Sequence, residues 1–200
     1  MEADWAAEIG PRLDWIDSGW QGFIDLRAAP EAIREISEAA PGSALANALA
    51  ALNAPSSPVF TCKCDHWPVL AEDLDPYEME SSREQARVGV ASWIDIVARD
   101  AELFTSFPGH ESWARQTVLR LRAMPLASGR VDLVIRAAMS RENSGFGMTL
   151  YATGCGPDPS AAQAAWEPIL RAAVAVTMSE AQCLAAAGNA PASSDTGAAV

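Results

Sequence analysis

Lysine is almost missing from this chain: Lys63 is the only one among 200 residues, and His66 and His110 are the only histidines. Neither GxxxxGK nor GxGxxG occurs, so the common phosphate-cradling loops have no framework and nucleotide hydrolysis of the common types is excluded. Four cysteines, Cys62, Cys64, Cys155 and Cys183, are too few for a disulfide-built scaffold and fit a reducing compartment. No CxxC or HxxxH pair supplies a ready-made zinc site. Cys62 and Cys64 stand two apart on an expected strand, which holds their backbones too far apart for an easy bridge. A basic leader is missing too, because Glu2, Asp4, Glu8, Asp14 and Asp17 outnumber Arg12 in the first twenty residues. The Ala-rich stretches are cut by Asn, Pro, Glu or Arg before reaching the roughly 20 apolar residues a bilayer requires. These absences lead us to expect a cytoplasmic protein with no membrane partner.

Charge is what the chain has in excess. The net charge is −12, with 18 acids against 7 bases in residues 1–100 and 8 against 7 in residues 101–200. Such a field repels a nucleic-acid backbone and attracts a basic protein surface, although it also serves solubility. Half of the residues are hydrophobic and a fifth are charged, so a packed core is expected.

Residues 3–27 carry Trp5, Trp15 and Trp20, and the spacing of Ile9, Leu13, Ile16 and Trp20 is helical, broken by Gly10, Pro11, Gly19 and Gly22. This predicts short helices and turns. Pro30 opens a helix to about Ala39, and Ser43 caps another over 43–52. After the loop 53–58 the period changes. Residues 59–67 and 87–98 alternate as strands, and Asp100 caps a helix over 101–123 that Pro108 and Gly109 split. Strands over 129–138 and 146–153 form a hairpin, a last helix spans 160–178 around Pro168, and from Gly188 a disordered tail is expected.

The order from residue 58 is β β α β β α. It predicts an α+β two-layer sandwich in which two helices cover an antiparallel or mixed sheet of about four strands; a ferredoxin-like, split βαβ order is one arrangement of these elements. The expected organisation is an N-terminal helical segment 1–57, a core domain 58–187 and a tail 188–200.

Three sets of residues bear chemistry. On a strand, Cys62, Cys64 and His66 would share one face at intervals of about 7 Å, a soft-ligand pattern for zinc or another thiophilic metal, although buried cysteines also act as small hydrophobes. Cys155, in the turn TGCGPDPS before the last helix, has the setting of an activated thiol but no partner base in the sequence. Arg115, Arg120, Arg122, Arg130, Arg136 and Arg141 would suit a carboxylate or phosphate if they converged, as in a sensor of small anions. The densest acidic cluster is Glu72, Asp73, Asp75, Glu78 and Glu80 around Tyr77, a contact surface for a basic partner. With no assembled catalytic set and no cofactor assigned, the leading expectation is a non-catalytic accessory, adaptor or inhibitor-type subunit that binds another protein through Glu72, Asp73, Asp75, Tyr77 and Glu78. The alternatives are a small thiol- or metal-dependent enzyme and an anionic-ligand sensor.

Overall fold

The computed structural model of the chain describes residues 1–10, 15–140 and 143–188. Arg12, Leu13, Arg141 and the expected tail after Gly188 lie outside them. The elements are β1 (Glu2–Glu8), β2 (Ile16–Asp17), a 3-10 helix (Pro30–Glu35), α1 (Ala44–Asn53), β3 (Val59–Leu70), β4 (Val88–Ala98), α2 (Ala101–Thr105), α3 (Phe107–Arg122), β5 (Gly129–Ser140), β6 (Asn143–Gly156) and α4 (Pro159–Gly188).

Local chemistry explains most boundaries. Ser43, Asp100 and Ser106 each accept a backbone N–H at the start of α1, α2 and α3. The expected helix over 101–123 divides at Ser106, which caps α3 and leaves Pro108 in the first turn, where its missing N–H costs nothing.

The protein is α+β, with a mixed sheet of six strands rather than a mostly antiparallel one of about four. Its order is β1-β5-β6-β4-β3, with β2 also pairing with β5. The strands β3, β4, β6 and β5 are antiparallel neighbours, and β1 and β2 add to β5 in parallel. Residues 2–8 are therefore a strand, not part of a helix. Their pairing partner lies in residues 130–136, beyond the reach of any local pattern. The ferredoxin-like order is not found. One split βαβ unit exists, β4 to β5 through α2 and α3 with β6 between them, but the strand flanking β4 is β3, which precedes that unit instead of following α4.

Three helices, not two, cover one face of the sheet. Leu45, Leu49 and Leu52 of α1, Trp113, Val118 and Leu121 of α3, and Trp166, Ile169 and Leu170 of α4 bury against Ile94, Ile96, Val131, Leu133, Ile135, Met148 and Leu150. Close approach of α4 depends on Gly154, where an added Cβ would fall inside the backbone N and Cα of Trp166. Among the described residues α4 is also the one helix long and apolar enough to cross a membrane, with a mean hydropathy of 1.3 over its best window. Its most apolar stripe is spent on the sheet.

Among the described residues, the opposite face is covered at its two ends. At one end Ile16 packs on Phe60, Cys62, Val97, Phe104 and Ala138. At the other, the connection 71–87 folds back so that Leu74, Met79 and Ala86 bury against Cys155. Between these ends the described residues enclose a cleft.

A candidate binding cleft on the second sheet face

Side chains on a strand alternate between faces, so burying Ile94, Ile96, Leu150 and Met148 under the helices sends Trp93, Asp95, Tyr151 and Thr149 to the other side. Strand register then assembles them. Tyr151 lies opposite Trp93, and Thr149 opposite Asp95. On β5, Val134 is beside Thr149, while Asp132 is beside Tyr151. A bulge in β3 completes the row. Thr61 pairs with Ile96 and Cys64 with Ile94, so Cys62 and Lys63 together oppose Asp95. The extra residue turns Lys63 toward the cleft.

The N-terminal segment supplies one wall. Trp15 and Trp20 flank Ile16 and Asp17, and with Trp93 and Tyr151 they enclose a cavity of about 560 Å³ whose charged lining is Asp17, Lys63, Asp95 and Arg136. Asp95 is 7% exposed and accepts a hydrogen bond from the Thr149 hydroxyl at 2.6 Å. Arg136 donates through Nη2 to Glu8 at 2.9 Å and to the Tyr151 hydroxyl at 3.3 Å. Its Nε is buried and has no hydrogen-bond partner among the described residues. Lys63 holds its ammonium 5.3 Å from the Trp20 ring centroid, a cation–π contact. A second cavity, of about 460 Å³, shares Trp20, Lys63 and Trp93 with the first and is lined by Ile24, Leu26, Ile36 and Leu49.

The residues singled out from sequence are placed differently. Cys62, Cys64 and His66 do not share a face. The bulge puts Cys62 with Ile16 and Phe60 on the open side, whereas Cys64 packs on the main core and His66 stacks on Trp166 at 4.7 Å between ring centroids. Burial pushes both thiols up to about 12 and pushes the His66 imidazole down, against the opposing pull of Asp65. Among the described residues no group of three or more His, Cys, Asp or Glu side chains is placed to hold a metal ion. All four cysteines are free.

Cys155 is buried among Leu74, Met79 and Ala86, and burial raises its thiol. His66 lies on the other side of the sheet, and His110 lies on α3 against Trp113 and Phe146. Neither histidine stands beside this thiol. The arginines do not converge either. Arg115 lies over Trp5, Arg120 binds Glu180, Arg122 binds the Ala3 carbonyl and Glu2, and Arg130 binds Asp132 and Glu78. Among the described arginines of this set, Arg136 is the one that lines the cleft.

The acidic loop is a surface element with a fixed underside. Glu72, Asp73, Asp75, Tyr77 and Glu78 are exposed, Tyr77 to 87%, while Leu74 and Met79 between them are buried. Glu78 pairs with Arg130 at 2.8 Å, and Glu80 pairs with the Met1 ammonium at 2.8 Å. Sequence reasoning missed the cleft itself. The signal was present in the polar and aromatic alternates of two expected strands, Trp93 with Asp95 and Thr149 with Tyr151, read there only as the non-core side.

No protein-family model matches the chain, and neither a curated protein nor a solved structure matches it.

Proposed function

We propose that this chain is a non-catalytic binding protein, an accessory, adaptor or inhibitor-type subunit that holds a basic protein partner with its loop 72–80. One observation carries the reading: Tyr77 stands 87% exposed among Glu72, Asp73 and Asp75, on a loop pinned from below by Leu74 and Met79. A large aromatic displayed on a pre-ordered loop can be buried by a partner without a further ordering cost. The surrounding carboxylates, within a net charge of −12, accelerate encounter with a basic surface.

The test compares capture from native lysate by the wild-type chain and by the variant Glu72→Gln, Asp73→Asn, Asp75→Asn, Glu78→Gln. The expected result is a stoichiometric partner on the wild type whose association with the variant is slower and less salt-dependent. Tyr77→Ala should weaken that complex by about 1–2 kcal/mol or more, while both variants keep their fold within about 0.5 kcal/mol. Absence of any stoichiometric partner, or an unchanged rate and salt slope in the fourfold variant, overturns the reading.

A further inference from the structure

We infer that the second cavity, the chamber walled by residues 20–38 and β3, is a binding site for a small apolar amine, an organic cation with an aromatic or branched aliphatic body. This goes beyond the partner-binding loop and does not depend on it.

The chamber has a wall that is set before any ligand arrives. Phe23 donates its N–H to the Trp20 carbonyl at 3.1 Å, Ala28 and Ala29 donate to the Asp25 carbonyl, and the Arg27 guanidinium grips the Asp25 carboxylate at 2.7 Å. Trp20 is fixed from three sides. Its indole N–H reaches the Cys62 carbonyl at 3.4 Å, the Lys63 ammonium stands 5.3 Å from its ring centroid, and Gly22, with a φ of +101°, passes so close that an added Cβ would lie 2.9 Å from the ring. A wall ordered in advance removes part of the cost of binding.

The inner surface is apolar. Ile24 and Leu26 come from the N-terminal segment, Ile36 follows the 3-10 helix, Leu49 comes from α1, and Trp93 stands on the side shared with the cleft. At about 460 Å³ the chamber falls within the range of small-ligand sites. An apolar body placed there leaves water for a surface of aliphatic and aromatic side chains.

Charge selects the polar end of the ligand. Among the described residues the charged groups on this wall are Glu35, Glu38 and Lys63. Both carboxylates are exposed, and neither has a cation within ion-pair distance among the described residues. Lys63 already has its ammonium against the Trp20 ring, and Arg27 is held by Asp25. The Cys64 thiol registers the resulting sign. Burial raises it first, and the carboxylate of Glu38 is the largest charge effect on it, acting in the same direction. A positive group beside Cys64 therefore meets Glu38, with the Trp93 ring as a further attraction. A carboxylate in the same place meets two carboxylates and one ammonium that is already engaged. The net charge of −12 favours a cation at longer range too.

The test is calorimetric titration of the full chain at low ionic strength with 2-phenylethylamine and 3-methylbutylamine. Beside them go the matching alcohols, which lack the charge, 3-phenylpropanoate, which reverses it, and methylamine, which lacks the apolar body. The expected result is one-to-one binding of at least one apolar amine tighter than about 1 mM, with its alcohol weaker by about fivefold and 3-phenylpropanoate and methylamine weaker by about tenfold or more. Replacing Glu35→Gln and Glu38→Gln together should lower amine affinity by about two- to fivefold and leave the alcohol unchanged, whereas Lys63→Gln should raise amine affinity by about twofold. The fourfold acidic-loop variant should bind amine as the wild type does, so this site and the partner-binding loop can fail separately. The analogue series uses unmodified protein and decides the matter even if a variant does not fold. No heat with either apolar amine at about 10 mM, or an alcohol, methylamine or 3-phenylpropanoate that binds as tightly as the apolar amine, would overturn the assignment.

Discussion

The indole N–H of Trp166 donates to the hydroxyl of Ser92 at 3.1 Å, and both residues are buried. This bond joins α4 to β4, at the centre of the sheet, above the glycine that lets the helix sit so low. Ser92→Ala would leave the indole donor unpaired in an apolar layer, at a cost of about 1–3 kcal/mol in unfolding free energy. Trp166→Phe in the Ser92→Ala background should recover part of the loss attributable to that orphan. The double-mutant cycle, measured by urea denaturation, should give a coupling of at least about 0.5 kcal/mol. A coupling indistinguishable from zero would show that the contact is incidental to the packing.

Thiol reactivity should divide the cysteines one against three. Cys183 is exposed, Cys62 and Cys64 are pushed up to about 12 by burial, and Cys155 is buried and raised in the same direction. A disulfide reagent at neutral pH should therefore label one thiol per native chain and four after denaturation, because the thiolate is the reacting species. Rapid native labelling of Cys62 or Cys64 would contradict the burial described for β3.

Stability should fall as the solution is acidified through the imidazole range. His110 is fully buried; its Nδ1 lies 3.0 Å from the Ser106 carbonyl, which can only accept, so Nδ1 carries the proton. Burial holds this imidazole below its ordinary value of 6.5. The unfolded chain then takes up a proton before the folded one, and folding free energy is lost as pH falls below about 6.5, by no more than about 1.4 kcal/mol per pH unit per imidazole. His66 shifts in the same direction. The urea midpoint should drop between pH 7 and pH 5, with a smaller drop in His110→Gln. An equal drop in that variant would assign the acid sensitivity to other groups.

Most elements after residue 43 could be located from the chain alone, because their signals are local. Ser43 and Asp100 cap helices where capping residues are expected, and β5 alternates residue by residue through Leu133, Val134 and Ile135. What escaped depends on partners distant in sequence. Nothing within residues 2–8 reveals that a strand 128 positions downstream will pair with them in parallel. The helical spacing through Ile9, Ile16 and Trp20 corresponds to no helix at these three residues: Ile16 stands in β2 and reaches a small core of its own, and Trp20 donates to the Cys62 carbonyl. The metal pattern at Cys62, Cys64 and His66 assumed an unbroken alternation, and one inserted residue in β3 breaks it. The cleft was hidden for the same reason as β1: its floor comes from β4, β5 and β6, and its wall from residues 15–20, which meet only in the folded sheet.

The parallel pairing of β1 with β5 also orders events in time. Glu2 is synthesised 128 residues ahead of Arg130, its partner. At ribosomal rates of roughly 5–20 residues per second, β1 waits on the order of ten seconds before β5 exists to receive it. During that interval its backbone donors and acceptors are open to any passing strand edge. Glu2, Asp4 and Glu8 fall on this short segment, and carboxylates on an unpaired strand discourage such encounters while leaving Ala3 and Trp5 to dock once α3 and β5 are in place. A strand made early is thus seated late, and closing that edge of the sheet is a late step in the birth of the fold.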